Sequence, residues 1–369
     1  MIELKGLAKS FDAIVAVADL DLKVGEGELA ILLGPSGCGK TTTLRMIAGL
    51  EEPSAGDILF DGKSVVGWSP KERGVAMVFQ DYGLYPHMTA RDNIAFPLKL
   101  SHLAKPEIEG RTRAVMSRLG IVNLAARRPS RLSGGERQRV GLARALVREP
   151  RVMLMDEPLS NLDAMLRIQL REEIQILHHD LHMTTFYVTH DQVEALSLGT
   201  LIAVMDRGRI LQVGTPWTIY HEPENLFVAR FVGSPPMNCL NLALDGDSED
   251  MLVGPDLKIQ VPKAVADELR QELSGPDVVV GVRPEHLALG PIERAQFRGQ
   301  IRVVEPLGPD YFIHITIGDA RLMARIEPDS KIAVGDSIGL NPRRLYFFDA
   351  ATGRRVGIAN PAASNGRLS

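Results

Sequence analysis

The segment GPSGCGKTT at positions 34–42 constrains the fold of this chain more than any other feature. It follows the apolar run GELAILLG and precedes TTTLRMIAGL, which has a helical pattern. A Gly-x-x-x-x-Gly-Lys-Thr sequence between a strand and a helix predicts a loop whose backbone amides surround phosphate. In such a loop Lys40 reaches the β- and γ-phosphates and the Thr41 hydroxyl binds Mg²⁺. The predicted phosphate-binding residues are Gly34, Pro35, Ser36, Gly37, Cys38, Gly39, Lys40, Thr41 and Thr42.

Cys38 lies inside this loop, where we expect it to contribute only its backbone amide. A redox role is the alternative, because a helix N-terminus lowers the pKa of a thiol.

An acidic pair follows a second apolar strand, RVMLMDEP at 151–158. We expect Asp156 to bind the metal through water, as the corresponding aspartate does in phosphate-loop ATPases. Because the strand ends here, Glu157 can face the same site, and it is our candidate to polarise the attacking water. The alternative is a pair of solvated carboxylates at a strand end.

A second anion-binding helix start is predicted in RLSGGERQRV, residues 131–140. Ser133 and Glu136 have the spacing of a capping box. Gly134 and Gly135 lie between them, where glycine is unfavourable for the helix by roughly 0.5–1 kcal/mol per residue relative to alanine. We interpret the pair as a place where backbone amides approach a phosphate closely.

Composition limits the class of protein. The chain has 369 residues, of which 45% are hydrophobic and 24% charged, with a net charge of -4 and two cysteines. These values indicate a soluble protein of two or three domains from a reducing compartment, and they do not favour nucleic-acid binding. No apolar run reaches the roughly 20 residues of a membrane span, so a membrane role would require a partner.

The pattern along the chain predicts two domains. Apolar strands alternate with helical segments over residues 1–235, which predicts an α/β domain with a helical subdomain at about 88–148. Short alternating segments separated by Gly, Pro and Asp then predict an antiparallel β domain over 236–355. The polar residues 356–369 are predicted to form a flexible tail.

The order of these motifs resembles the ATP-binding subunits of ABC transporters along the whole chain. Three further segments support the resemblance: VFQDYGLYPHMT with Gln80, MDEPLSNLD with Asp163, and YVTHDQVEA with His190. The resemblance implies that Phe11 stacks on adenine, that Gln80 touches Mg²⁺ and couples to the membrane partner, and that His190 contacts the γ-phosphate.

The same resemblance assigns a second group of residues to the ATP of a partner subunit: Ser133, Gly134, Gly135, Glu136 and Asp163. Close sugar-importer relatives often have Gln where Glu136 stands. Because Glu also completes the capping box, we expect this difference to have little effect on the function of the helix start. The catalytic residues implied are Glu157, His190 and Lys40, and the metal ligands are Thr41, Gln80 and Asp156.

The distal half is similar to the carbohydrate-importer branch, through ENLFVARFVGSPPMN, VGVRPEHLAL, VEPLG and LYFFDAATGRRV. The resemblance extends to ATPases of maltose-type, multiple-sugar and sn-glycerol-3-phosphate importers, and it implies that ATP-driven dimer closure powers separate membrane subunits. It also implies a P-loop ABC cassette followed by a C-terminal regulatory domain of the oligonucleotide/oligosaccharide-binding (OB) type. The implied cofactors are ATP and Mg²⁺. The implied partners are a second copy of the chain, two membrane permease subunits, indirectly an extracytoplasmic solute-binding protein, and a regulatory protein at the C-terminal domain, but no nucleic acid. The implied location is the cytoplasmic face of the cell membrane.

Two alternatives stay open at this point. One is a soluble ABC ATPase that acts on nucleic acid or ribosomes, although such proteins usually have two cassettes or a coiled-coil insertion. The other is an importer ATPase for a solute that is not a sugar. The sequence does not identify the solute, because this subunit need not touch it.

Overall fold

The computed structural model describes residues 1–101, 103–246, 250–327 and 332–359. The chain divides into two compact units, the first ending at Ile219 and the second beginning at Tyr220. The strands of the first unit are β1 (Ile2–Phe11), β2 (Ile14–Val24), β3 (Leu29–Leu33), β4 (Ala55–Phe60), β5 (Lys63–Ser64), β6 (Val75–Val78), β7 (Val152–Asp156), β8 (Thr184–Thr189), β9 (Leu201–Asp206) and β10 (Arg209–Gly214). Its helices are α1 (Lys40–Ala48), α2 (Pro70–Arg73), α3 (Ala90–Leu100), α4 (Lys105–Arg118), α5 (Gly134–Leu146), α6 (Ala164–Leu181) and α7 (Gln192–Leu198).

A six-stranded sheet with the order β10-β9-β3-β8-β7-β6 forms the centre of the first unit. Strands β9, β3, β8, β7 and β6 run parallel to one another, and β10 pairs antiparallel with β9. Every residue of β3, β7 and β8 is buried, as the continuous apolar runs predict for a parallel sheet covered on both faces. The carboxyl ends of the parallel strands therefore meet at one edge of the sheet.

A second, antiparallel sheet with the order β2-β1-β4-β5 was not predicted from the sequence. Its strands β1 and β2 form a hairpin that turns at Asp12, which has a positive φ of 49°. Leu7 and Leu20 are fully buried partners in this hairpin, but register shifts along β1 interrupt the simple alternation that predicts a strand.

The segment predicted as a helical subdomain is helical, as expected. It contains α3, α4 and α5, joined by short 3-10 turns at Val122–Leu124 and Pro129–Arg131. In the described part of the chain, no helix has both the length and the apolar character of a membrane-spanning helix.

The second unit consists mainly of two antiparallel sheets, as predicted. Helix α8 (Pro216–His221) lies at the junction, and α9 (Leu226–Phe231) and α10 (Lys263–Glu272) follow. The strands are β11 (Asn238–Leu244), β12 (Met251–Val253), β13 (Lys258–Gln260), β14 (Asp277–Val282), β15 (Leu287–Gly290), β16 (Phe297–Leu307), β17 (Asp310–Ile317), β18 (Ala320–Ile326), β19 (Ser337–Pro342), β20 (Leu345–Asp349) and β21 (Arg355–Ala359). The sheet orders are β13-β12-β11-β14-β20-β21 and β15-β19-β16-β17-β18.

The first unit ends at Ile219, before the boundary expected at 235/236. Helix α9 belongs to the second unit because it packs on the β-strands there. Strand β14 is buried on both faces: Val278 and Val280 face the main core, whereas Val279 faces a smaller cluster that includes Ala229 of α9. Arg283, which is fully buried, donates a hydrogen bond to Val232 O (2.8 Å). These contacts tie the α9 segment to the β domain.

The expectation of a flexible tail from residue 356 is wrong for its first residues. Strand β21 pairs with β20 and extends to Ala359, with Tyr346 opposite Ile358. Ile358 and Ala359 are buried, which accounts for the ordered strand. Residues 360–369 lie outside the described part of the chain.

Candidate active site

The phosphate loop connects the end of β3 to the start of α1. Gly39 has φ +103°, and a Cβ there would lie 2.5 Å from Ala16 O, so only glycine fits. The Lys40 ammonium is 5% exposed and donates hydrogen bonds to Gly34 O (2.8 Å) and Pro35 O (2.9 Å). The loop thus holds a buried cation next to a helix N-terminus, which favours an anion.

Thr41 and Asp156 come together across the edge of the sheet. The Thr41 hydroxyl donates a hydrogen bond of 2.8 Å to Asp156 Oδ1. Burial raises the pKa of the Asp156 carboxyl, and the Thr41 hydrogen bond partly opposes that rise. The half-buried Thr41 hydroxyl and the buried Asp156 carboxylate supply hard oxygen ligands, so these two residues fit Mg²⁺. Sequence reasoning placed both residues in the metal site.

Glu157 and His190 meet beside this pair. Glu157 follows β7 directly, and its φ of +44° is unusual for a residue other than glycine. His190 Nδ1 lies 3.2 Å from Glu157 Oε1. Glu157 N donates to Val188 O (3.1 Å), which holds the residue against β8. The strained backbone therefore positions the Glu157 carboxylate next to the imidazole.

A buried network fixes the backbone on both sides of His190. Tyr187 and Thr189 each donate a hydrogen bond of 2.8 Å to Glu194 Oε2, and Asp191 N donates to Thr189 Oγ1 (2.9 Å). Burial raises the pKa of Glu194, and the two hydroxyl donors oppose that rise. The network restricts the conformations available to the loop that contains His190. This network was not predicted from the sequence.

Gln80 follows β6 and points toward the segment after Glu157. Its side-chain Nε2 lies 3.3 Å from Ser160 Oγ, to which it donates, and Gln80 O accepts from Asn161 Nδ2 (3.1 Å). Ser160 in turn donates to Glu157 O (2.9 Å). Ser160 and Asn161 were missed as site residues, although both lie in the quoted MDEPLSNLD segment.

The capping box at the start of α5 is confirmed. Ser133 N donates to Glu136 Oε2 (2.7 Å), and Glu136 N donates to Ser133 Oγ (3.3 Å). A Cβ on Gly134 would lie 2.8 Å from Leu162 Cδ2, and one on Gly135 would lie 2.7 Å from Leu166 Cδ1. The glycines therefore also allow close packing within the same chain, which the sequence did not predict.

The remaining predicted residues are on the phosphate loop, at the end of β1 and at the start of α6. Phe11, at the end of β1, is 43% exposed, with Lys9 Nζ 4.9 Å from its ring centroid. Asp163 caps α6 by accepting from Leu166 N (3.0 Å). Cys38 is 3% exposed, and burial raises the pKa of its thiol, which argues against the redox alternative. Ser36 and Gly37 are exposed at the tip of the loop.

The fold and the site together define a P-loop ATPase: a phosphate loop after β3, a hydroxyl–carboxylate pair, and a strained glutamate after β7, which is separated from β3 by β8. Family models match as follows: ABC transporter over residues 17–160, MalK OB fold domain over 233–287, and TOBE domain over 280–348. The chain belongs to the ABC transporter ATP-binding proteins, and it has the MalK-type C-terminal domains.

Relatives of known name match over nearly the whole chain. The sulfoquinovosyl glycerol transport ATP-binding protein SmoE of Agrobacterium fabrum is 45% identical over 96% of this chain and 99% of its own length. The trehalose/maltose import ATP-binding protein MalK of Thermococcus litoralis is 46% identical over 94% of this chain and 97% of its own. The ATP-binding cassette MJ0796, solved as a dimer bound to ADP and Pi, has a TM-score of 0.54 and 29% identity, and covers 58% of this chain and 99% of its own.

Proposed function

We propose that this chain is the ATP-hydrolysing, energy-coupling subunit of an importer for carbohydrate or glycerol-3-phosphate-type solutes. The observation that supports this most directly is the convergence of Lys40, Thr41, Asp156, Glu157 and His190 at one edge of a parallel sheet. The solute class rests on the relatives SmoE and MalK and on the MalK-type C-terminal domains.

Thr41 and Asp156 would hold Mg²⁺ next to the phosphate loop. The ion, when bound, would neutralise charge that develops on the phosphate oxygens. Lys40 already occupies a buried position beside the loop carbonyls, so its ammonium can turn to the β- and γ-phosphates of ATP. Gln80 lies near the Glu157 segment through Ser160, and we propose it as a further ligand that also senses the membrane partner.

Glu157 is proposed to accept a proton from the attacking water. Its carboxylate lies beside His190 Nδ1, so the imidazole can orient the carboxylate and present its other nitrogen to the γ-phosphate. The network around Glu194 keeps the His190 loop in place. The alternative for Asp156 and Glu157, two solvated carboxylates at a strand end, does not explain the contact of Glu157 with His190 or its positive φ.

We propose a homodimer in which Ser133, Gly134, Gly135, Glu136 and Asp163 contact the ATP bound by the partner. The α5 N-terminus presents backbone amides, and Ser133 is exposed. Phosphoryl transfer depends on charge stabilisation from several sides, so donors from a second subunit would complete the site. The dimeric cassette MJ0796 supports this arrangement.

The further partners we propose are two membrane permease subunits, which would place the chain at the cytoplasmic face of the membrane, and indirectly an extracytoplasmic solute-binding protein. The segment YPHMT at 85–89 would receive a helix of the permease. Asn93 fixes the start of this segment, because Tyr85 N donates to its Oδ1 (2.7 Å). A regulatory protein would dock on the C-terminal domain.

Replacing Glu157 by Gln tests the catalytic assignment. The amide cannot accept a proton, so we expect ATP hydrolysis to slow by roughly 100-fold or more while ATP still binds. Steady-state phosphate release and equilibrium binding of labelled ATP measure the two effects. Glu172→Gln on the exposed face of α6 is the matched control and should leave both unchanged. Turnover by E157Q at the wild-type rate would remove Glu157 from this role.

A transport assay tests the solute class. Expression of this chain in a host that lacks the ATPase of one maltose- or trehalose-type importer should restore uptake of that sugar, and E157Q should not. Restoration of uptake by an amino-acid or metal importer, with none by a sugar importer, would contradict the carbohydrate assignment.

A further inference from the structure

The second unit contains a cavity of about 950 Å³ that hydrolysis does not use. It lies between strands β16, β17 and β18 and the segment 236–239 that leads into β11. Its volume is at the upper end of the range of about 300–1,000 Å³ typical of small-molecule sites. All its lining residues belong to the second unit.

A polar row crosses the three strands that form one wall. Thr316 on β17 lies directly opposite Arg321 on β18. On the other side, Arg302 Nε donates a hydrogen bond of 3.0 Å to Thr316 Oγ1. Arg302 lies at a register shift between Ile301 and Val303, and such a bulge changes the direction of a side chain. Arg302 thus contacts the Thr316 hydroxyl, and Arg321 lies opposite Thr316 in the register of the sheet.

Arg230, on α9, supplies a third guanidinium to the same cavity, next to the Cys239 thiol. No Asp or Glu is among the described residues that line the cavity, and none of these three arginines forms an ion pair within the described ranges. Arg325 on β18, outside the cavity, is instead paired with Asp310 at 2.6 Å. All three arginines of the cavity are exposed, so their guanidinium groups form an accessible positive edge of the cavity that an anionic ligand can neutralise.

Much of the remaining wall is apolar and is formed by Met237, Leu322 and Met323. Asn238 is fully engaged, since it donates to Val282 O and Met323 O and accepts from Met323 N. His314 also lines the cavity, and its Nε2 lies 3.0 Å from Glu305 Oε1. A bare anion would use only part of this space. The combination suits a ligand with a charged end and a carbon body.

We propose that this cavity binds a small phosphate-bearing metabolite, either an organic phosphate ester or free phosphate, at the row formed by Arg302, Thr316 and Arg321. Guanidinium groups match phosphate oxygens in geometry and charge, and the hydroxyl can donate to the same group. The carbon body of an ester lies against Met237 and Met323. The site goes beyond the proposed transport function, because it gives the C-terminal unit a ligand of its own.

Calorimetric titration of the full chain tests the site. Glucose 6-phosphate, inorganic phosphate and glucose are the probes, and a saturating non-hydrolysable ATP analogue fills the phosphate loop throughout. We expect glucose 6-phosphate to bind and glucose not to bind. Arg302→Gln and Arg321→Gln should each weaken binding by about tenfold or more, because each loses charged hydrogen bonds.

Arg325→Gln is the matched control on the same sheet and should bind like the wild type. Equal affinity for inorganic phosphate and glucose 6-phosphate would support the site and identify free phosphate as the ligand. Absence of binding by either phosphate, or binding that R302Q and R321Q leave unchanged, would overturn the proposal. So would tight binding of a glutamate-rich peptide without binding of phosphates. The titration needs no hydrolysis, so its failure would leave the proposed ATPase function untouched.

Discussion

At the scale of single residues, Glu157 combines a positive φ, which seven other non-glycine residues of the described chain share, with a carboxylate 3.2 Å from His190 Nδ1. A positive φ in a residue other than glycine is unfavourable by about 1–3 kcal/mol and persists where neighbours impose it. The acidic pair and the phosphate loop were predictable, because their spacing and flanking strands are local features of the sequence. The contact between Glu157 and His190 was not, since it depends on β7 and β8 being neighbours.

The Cys38 thiol gives a residue-level prediction. Because burial raises its pKa and only 3% of the side chain is exposed, little thiolate is present and reagents have poor access. We expect native Cys38 to react with iodoacetamide at pH 8 at least about tenfold more slowly than in the unfolded chain. Mass spectrometry of tryptic peptides measures the rate of Cys38 alkylation. Fast labelling of native Cys38 would contradict this prediction and favour the redox alternative.

At the scale of elements, the start of α5 serves two purposes. Its capping box was predictable from four adjacent residues, Ser133 to Glu136. Its packing on the start of α6 was not predictable, because only the fold brings the two segments together. A Cβ at Gly134 would overlap Leu162 Cδ2, and one at Gly135 would overlap Leu166 Cδ1, so the leucine side chain would have to shift in either case. The glycines therefore favour this packing even without a partner nucleotide.

A double-substitution experiment separates the two purposes. Gly135→Ala should lower stability by about 1–3 kcal/mol, because its methyl group overlaps Leu166. Adding Leu166→Ala should recover much of that loss, which calorimetric melting of both variants measures.

The ATPase rate of the double variant then reports on the partner site. A stable double variant that stays inactive would support close approach of Gly135 to the partner's ATP. Full recovery of turnover would show that only packing requires the glycine. Melting of G135A at the wild-type temperature would contradict the predicted overlap.

At the scale of the whole molecule, the sequence predicted an α/β unit followed by a β unit, because apolar runs and turn residues are local signals. It missed the antiparallel sheet around β1 and the helix α10. The second compact unit begins at Tyr220, before the predicted boundary, since the burial of Arg283 and the packing of α9 on β14 depend on distant residues. Long-range packing of this kind has no short-range sequence pattern.

Acid stability of the second unit depends on Asp349, at the end of β20. Its carboxylate accepts hydrogen bonds from Ser274 N (2.6 Å) and from Thr352 N (2.7 Å) and Oγ1 (2.9 Å). These donors hold the pKa of Asp349 well below its usual range. A lowered carboxyl pKa stabilises the fold above the unfolded value of about 4, and this contribution is lost as the pH falls below it.

We therefore expect the melting temperature of the wild type to fall more steeply below about pH 4 than that of Asp349→Asn, which cannot titrate. At pH 7 the variant should melt lower, and the gap should narrow as the pH falls. Scanning calorimetry from pH 7 to pH 3 follows both. A gap that stays constant with pH would contradict a stabilising ionised Asp349.

The short stretch from Asp156 to Leu166 joins two functions along one piece of chain. Its first residues belong to the metal and water site of their own subunit, and its last residues pack on the glycines proposed to face the partner's nucleotide. In a homodimer, a rearrangement at one nucleotide would be transmitted through this covalent tether to the other. The two ATP molecules would then be hydrolysed cooperatively, with a Hill coefficient above 1.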